Sequence, residues 1–96
     1  MAVDMPVQVS AAAVAGVDCF IKNLSLSGAL VRSDCDLRLH TLIDVRIELP
    51  PPTTRIAVVK AHVSRILQEG VGIEWCEFAP TIVKDLLRSP LVRFPL

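Results

Sequence analysis

The sequence lacks a charge of either sign in excess. Ten Lys and Arg balance ten Asp and Glu, for a formal net charge of zero. Broad nucleic-acid binding rests on a surplus of cations facing phosphates, so that class is set aside. A small anionic ligand is not excluded, because it needs only two or three well-placed cations. Long apolar runs are missing too. The longest stretches from Ala11 to Val17, well short of the roughly 18–20 residues a spanning helix requires. Mean hydropathy is nevertheless high, at +0.53. The opening Met1-Ala2-Val3-Asp4 has no basic segment of the secretory kind, which makes the cytoplasm the expected compartment.

Metal-ligand spacings are absent. The three cysteines (Cys19, Cys35, Cys76) and two histidines (His40, His62) form no C-x-x-C or H-x-x-x-H pair. An odd cysteine count without an export signal reads as reduced thiols. Cys19 and Cys76 fall in strand-like segments and read as small buried hydrophobes. His40 precedes a turn and His62 points outward from a strand, so both read as solvated. Glu74 and Glu77 have no nucleophile nearby and read as solvated or ion-paired carboxylates rather than as an acid/base pair.

What is present is alternation. With 96 residues, 52% of them hydrophobic, the chain has the size and composition of one globular domain. In Ile43-Asp44-Val45-Arg46-Ile47-Glu48-Leu49 every odd position is apolar and every even one charged. Successive strand side chains point to opposite faces, so this is a strand with one wet and one buried face. The prolines at 50–52 stop it. Arg55 to Leu67 alternates again, with Ala57, Val59, Ala61 and Val63 on one face. Gln68-Glu69-Gly70 makes a turn, and Val71, Ile73 and Trp75 continue on one face, with Trp75 in the core.

Upstream, Val17 to Lys22 and Ala29 to Arg32 read as strands around the bend Leu24-Ser25-Leu26-Ser27-Gly28. Val7 to Val9 reads as a short first strand. Ala11 to Gly16 has the alanine content of a helix but the context of a hairpin connection. Ile82, Val83, Leu86 and Leu87 share a helical face, with Pro80 in the first turn and Ser89-Pro90 as the stop. Short strands separated by turns argue for a small barrel or sandwich. The apolar tail Leu91 to Leu96 reads either as folding back on the domain or as meeting a partner.

Two segments are more specific. Asn23-Leu24-Ser25-Leu26-Ser27-Gly28 matches the D/N-x-S-x-x-G pattern of the PilZ domain family. Gly70-Val71-Gly72-Ile73-Glu74-Trp75 resembles the family's late strand, Gly-apolar-Gly-apolar-x-Phe. The resemblance spans residues 17 to 88. It implies an all-β fold, a small six-stranded antiparallel β-barrel with one C-terminal helix. The expected organisation is a single domain over 1–96, with the barrel over about 7–78, the helix over about 80–88 and the apolar tail over 89–96.

The family's members bind cyclic di-GMP and relay it to motility, pilus or exopolysaccharide machinery without transforming it. Carried over by position, Asn23 would bond a guanine edge, Ser25 would donate its hydroxyl, and Gly28 would permit close backbone approach and a φ that other residues resist. The family's second ligand element, an R-x-x-x-R motif before the first strand, occurs nowhere in this sequence. No basic residue precedes Lys22 and no arginine precedes Arg32. Each charge-assisted hydrogen bond contributes roughly 1.5–3 kcal/mol, so losing two arginines would weaken binding by orders of magnitude. Lys22, Arg32 and Arg65 are the candidate substitutes.

The resulting expectation is a non-enzymatic adaptor of cyclic di-GMP signalling with a degenerate ligand site, acting through protein contacts and with a homodimer as a candidate state. No cofactor, no metal, no nucleic-acid polymer and no membrane insertion is expected. A working cyclic di-GMP receptor with substitute cations is the alternative. A small hydrolase or metal enzyme is a third reading, and the sequence offers it no nucleophile–base pair.

Overall fold

The computed structural model describes residues 1–12, 14–33, 36–49, 51 and 54–88. Six strands precede one helix: β1 (Ala2–Ala11), β2 (Val14–Leu24), β3 (Gly28–Arg32), β4 (Leu42–Leu49), β5 (Arg55–Leu67), β6 (Gly70–Trp75) and α1 (Thr81–Arg88). The strands form a closed barrel in the order β1-β2-β3-β6-β5-β4, and β1 and β4 complete the ring. All six pairings are antiparallel. Among the described residues each strand has a neighbour on both sides, which hides most of the edge an open sheet would present.

Alternation builds the interior. Ile43, Val45, Ile47 and Leu49 of β4 are buried, while Arg46 and Glu48 between them are exposed. Val59, Ala61 and Val63 of β5 and Val71, Ile73 and Trp75 of β6 join the same cluster. A barrel this small is filled by its own side chains, and no polar or charged side chain is buried among the described residues. The helix adds Ile82, Val83 and Leu86 to the cluster. An ion pair of 2.6 Å between Arg55 Nη1 and Asp85 Oδ2 links it to the start of β5.

Several expectations shift in detail. The first strand covers ten residues rather than three. Pro6 lies in the part of β1 that the β4 ladder does not reach, since that ladder begins at Val7↔Ile47, and a strand can spare a donor there. Ala11 to Gly16 belongs to the β1–β2 hairpin and not to a helix: Ala11 ends β1 opposite Val14, and Gly16 lies inside β2. Pro80 stands just outside the helix. Its carbonyl accepts from Lys84 N at 3.0 Å, which gives it the capping position instead of the first turn. Cys76 is exposed just past the end of β6, contrary to the buried reading, because the chain has left the sheet there. Cys19 is buried, its thiol donating to Val17 O at 3.4 Å and lying 3.2 Å from Ser33 Oγ. Cys35, the prolines at 50 and 52, and the tail over 89–96 lie outside the described residues.

Candidate functional site

The Asn23-to-Gly28 segment forms the tight link between β2 and β3, and most of its polar groups bond one another. Ser25 N donates to Gly28 O at 2.9 Å. The Ser25 hydroxyl also contacts Gly28, donating to its carbonyl and accepting from its N–H, both at 3.2 Å. β6 fastens the loop from beneath. Trp75 N donates to Ser27 O at 2.9 Å, and the Trp75 indole Nε1 donates to Ser25 O at 3.1 Å. Trp75 is buried as expected. Its indole bond to the loop was not legible in the sequence, although a buried tryptophan N–H always calls for an acceptor.

Gly28 is needed for close approach. A Cβ on it would stand 1.9 Å from Ile73 O. Its φ, however, is ordinary. Gly70, at 154°, is the glycine with positive φ. The expectation that Gly28 supplies an unusual φ is therefore corrected: steric contact between β3 and β6 selects it.

Two β-bulges aim the side chains of the site. The β2–β3 register slips by one residue between Ile21 and Asn23. Ile21 and Leu24 are consequently both buried, and Asn23 turns outward. The β5–β6 register slips between Val63 and Arg65. Strict alternation would point Arg65 inward with Val63; the bulge places it on the outer surface instead, over Gly72. A Cβ on Gly72 would lie 3.2 Å from Arg65 Nε, so the missing side chain is what leaves room for the guanidinium. The sequence signal for both bulges was a polar residue at a core-parity position, which a buried strand face cannot hold unpaired.

The bulges bring Asn23, Ser25, Gly28 and Arg65 around one open cleft of about 540 Å³. Among the described residues Arg65 is its one basic member, and Glu69 and Glu74 line it as well, a formal balance of one minus two, or −1. Of the other candidate cations, Lys22 pairs with Asp4 at 2.7 Å. Lys22 and Arg32 both line neighbouring depressions rather than this cleft. The Asn23 side-chain oxygen accepts from the Met1 amino group at 3.2 Å. On the far side of Glu74, His62 Nε2 lies 3.6 Å from Glu74 Oε2. His40 is exposed in a turn with φ 67°. Among the described residues no group of three or more His, Cys, Asp or Glu side chains is placed to hold a metal.

A closed six-stranded barrel whose D/N-x-S-x-x-G loop is tied to its late strand is the architecture that the sequence resemblance implied. The PilZ domain family model matches residues 1–89, and the chain belongs to that family. It is thereby a domain of the cyclic di-GMP-related signalling class. No curated protein and no solved structure matches it. Among the described residues no helix is long and apolar enough to cross a membrane.

Proposed function

We propose that this domain is a non-enzymatic cytoplasmic adaptor of cyclic di-GMP signalling whose dinucleotide site is degenerate and which acts through protein contacts. The observation that carries the reading is the charge of the motif cleft. The ligand brings two phosphates, and the cleft meets them with one arginine and two glutamates. The sequence holds no R-x-x-x-R to reverse that balance, and lysine does not reproduce arginine's bidentate fork.

The motif residues already have structural duties. The Ser25 hydroxyl is engaged with Gly28 on both its donor and acceptor sides. Such a loop keeps its residues for the turn alone, since Asn, Ser and Gly are the residues turn chemistry selects. Protein contact is supported by an apolar exposure beside the loop. Leu26 at its apex and Phe78 beyond β6 are both exposed, and Ala79 N donates to Leu26 O at 3.0 Å, which holds the two segments together.

The working-receptor reading is favoured by one observation, the placement of Arg65 over Gly72 in the same cleft as Asn23 and Ser25. Two proteins separate the readings: the wild-type chain and the Glu69→Gln/Glu74→Gln variant. The adaptor reading expects no measurable cyclic di-GMP binding by the wild type and a gain of binding in the variant. Micromolar binding by the wild type, lost on Arg65→Ala, would establish the receptor instead.

A further inference from the structure

Two large apolar side chains are exposed on adjoining segments. Leu26, at the apex of the motif loop, is 40% exposed, and Phe78, three residues past the end of β6, is 77% exposed. The backbone ties the two segments together. Trp75 N donates to Ser27 O at 2.9 Å, and Ala79 N donates to Leu26 O at 3.0 Å. Ala79 is held there at a φ of 52°, a left-handed conformation that a residue with a Cβ resists. Phe78 therefore sits on a turn fixed at both ends, which leaves little ordering to the moment of contact.

The charge around this pair is one-sided. Glu77, next to Phe78, is exposed. Glu69 and Glu74 are exposed too, and both line the cleft that Ser25 and Ser27 enter on either side of Leu26. Elsewhere carboxylates are matched: Asp4 with Lys22, Asp44 with Lys60, Glu48 with Arg46 and Asp85 with Arg55. Among the described residues none of Glu69, Glu74 and Glu77 has a Lys or Arg partner, and Glu74 has only His62, at 3.6 Å. Arg65 is the one cation among the described residues lining the cleft. Three carboxylates against one guanidinium leave this corner acidic, although the chain as a whole is neutral.

We propose that this corner docks a basic, apolar segment of a partner protein. Leu26 and Phe78 meet the apolar side chains of the segment, and Glu74 and Glu77 meet its Lys or Arg side chains. The inference rests on the adaptor reading and supplies the chemistry of the partner. Charge complementarity selects this occupant. A second copy presenting the same corner would add carboxylates to carboxylates, and an acidic segment would meet the same repulsion. An uncharged segment would gain nothing from the three carboxylates. An exposed aromatic anchor with a charged rim is what a short docking contact uses. Two apolar anchors make a small contact, so the affinity expected is about 1–100 µM.

Panning a random peptide library on the full chain, without dinucleotide, provides the test. The peptides expected combine Lys or Arg with Leu, Ile, Phe or Trp. Fluorescence anisotropy with a selected peptide should then show at least about tenfold weaker binding to Phe78→Ser and to Glu77→Lys, and a further loss as salt rises. Both positions are exposed, so unchanged circular dichroism and unfolding midpoints separate loss of contact from loss of fold. No enrichment, enrichment of acidic or uncharged peptides, or selected peptides that bind Phe78→Ser as well as the wild type would overturn the proposal. So would self-association of the chain that Phe78→Ser abolishes, since a second copy is then the occupant. Titration with cyclic di-GMP keeps the two claims apart. Saturable dinucleotide binding counts against the degenerate-site reading, and a failed selection counts against this docking inference alone.

Discussion

Replacing Gly28 by alanine tests whether the motif glycine is held by steric contact. Its Cβ would lie 1.9 Å from Ile73 O, 3.0 Å from Ile73 C and 3.1 Å from Glu74 Cα. All three are backbone atoms of β6, so no side chain can rotate away. Relief requires β3 to move off β6, which strains the Gly28↔Glu74 pairing and the Trp75 N to Ser27 O bond beside it. Overpacking costs about 1–3 kcal/mol, and the rigid obstruction places this case near the upper end, at about 3 kcal/mol. At about 4–8 °C per kcal/mol for a domain of this size, the midpoint should fall by roughly 12–24 °C. Gly16→Ala is the control. Its nearest neighbour would be Gln8 Oε1 at 3.5 Å, an ordinary contact, so stability should change by less than about 0.5 kcal/mol or rise slightly. Urea unfolding followed by Trp75 fluorescence reads both, because Trp75 is the sole tryptophan and is bonded to the loop in question. Equal stability of the two variants would refute the steric account.

Further outcomes follow from the same geometry. Trp75→Phe keeps the aromatic bulk but removes the indole donor to Ser25 O, and should cost about 1–2 kcal/mol by thermal unfolding monitored by circular dichroism. Asp85→Ala breaks a half-exposed ion pair to Arg55, so its cost should stay below about 1 kcal/mol, and a larger loss in denaturant titration would assign the pair a structural role beyond its charge. Under native conditions a thiol reagent should modify Cys76 rapidly and Cys19 only after unfolding, as site-resolved mass spectrometry would show.

The barrel was legible because its strands alternate, and the reasons for the misses are equally physical. In β4 each apolar residue from Ile43 to Leu49 points inward without exception, so period two could be read straight off the sequence. β1 was underestimated as Val7 to Val9, since the residues before Val7 find their partners in β2, whose pairing with them only the three-dimensional structure shows. The motif loop could be located from Asn23, Ser25 and Gly28, but not the reason for its glycine, since the obstructing carbonyl belongs to Ile73, 45 residues later. Arg65 was one of three candidate cations and could not be singled out. Its place in the cleft depends on a bulge that unbroken alternation hides, and on Gly72 across the strand pair. The charge of the cleft was invisible for the same reason. Glu69 sits in the turn before β6 and Glu74 near the end of β6, both far in sequence from Asn23, and only the folded barrel sets them together.

The central claim is that the cleft has lost its dinucleotide, and isothermal titration of the wild-type chain with cyclic di-GMP tests it most directly. Forfeiting two arginine contacts of about 1.5–3 kcal/mol each weakens binding by roughly two to four orders of magnitude. The account predicts no saturable heat with protein at about 100 µM, a concentration at which a micromolar complex would be nearly stoichiometric. A saturable isotherm with micromolar or tighter affinity, abolished by Asn23→Ala or Ser25→Ala, would contradict it.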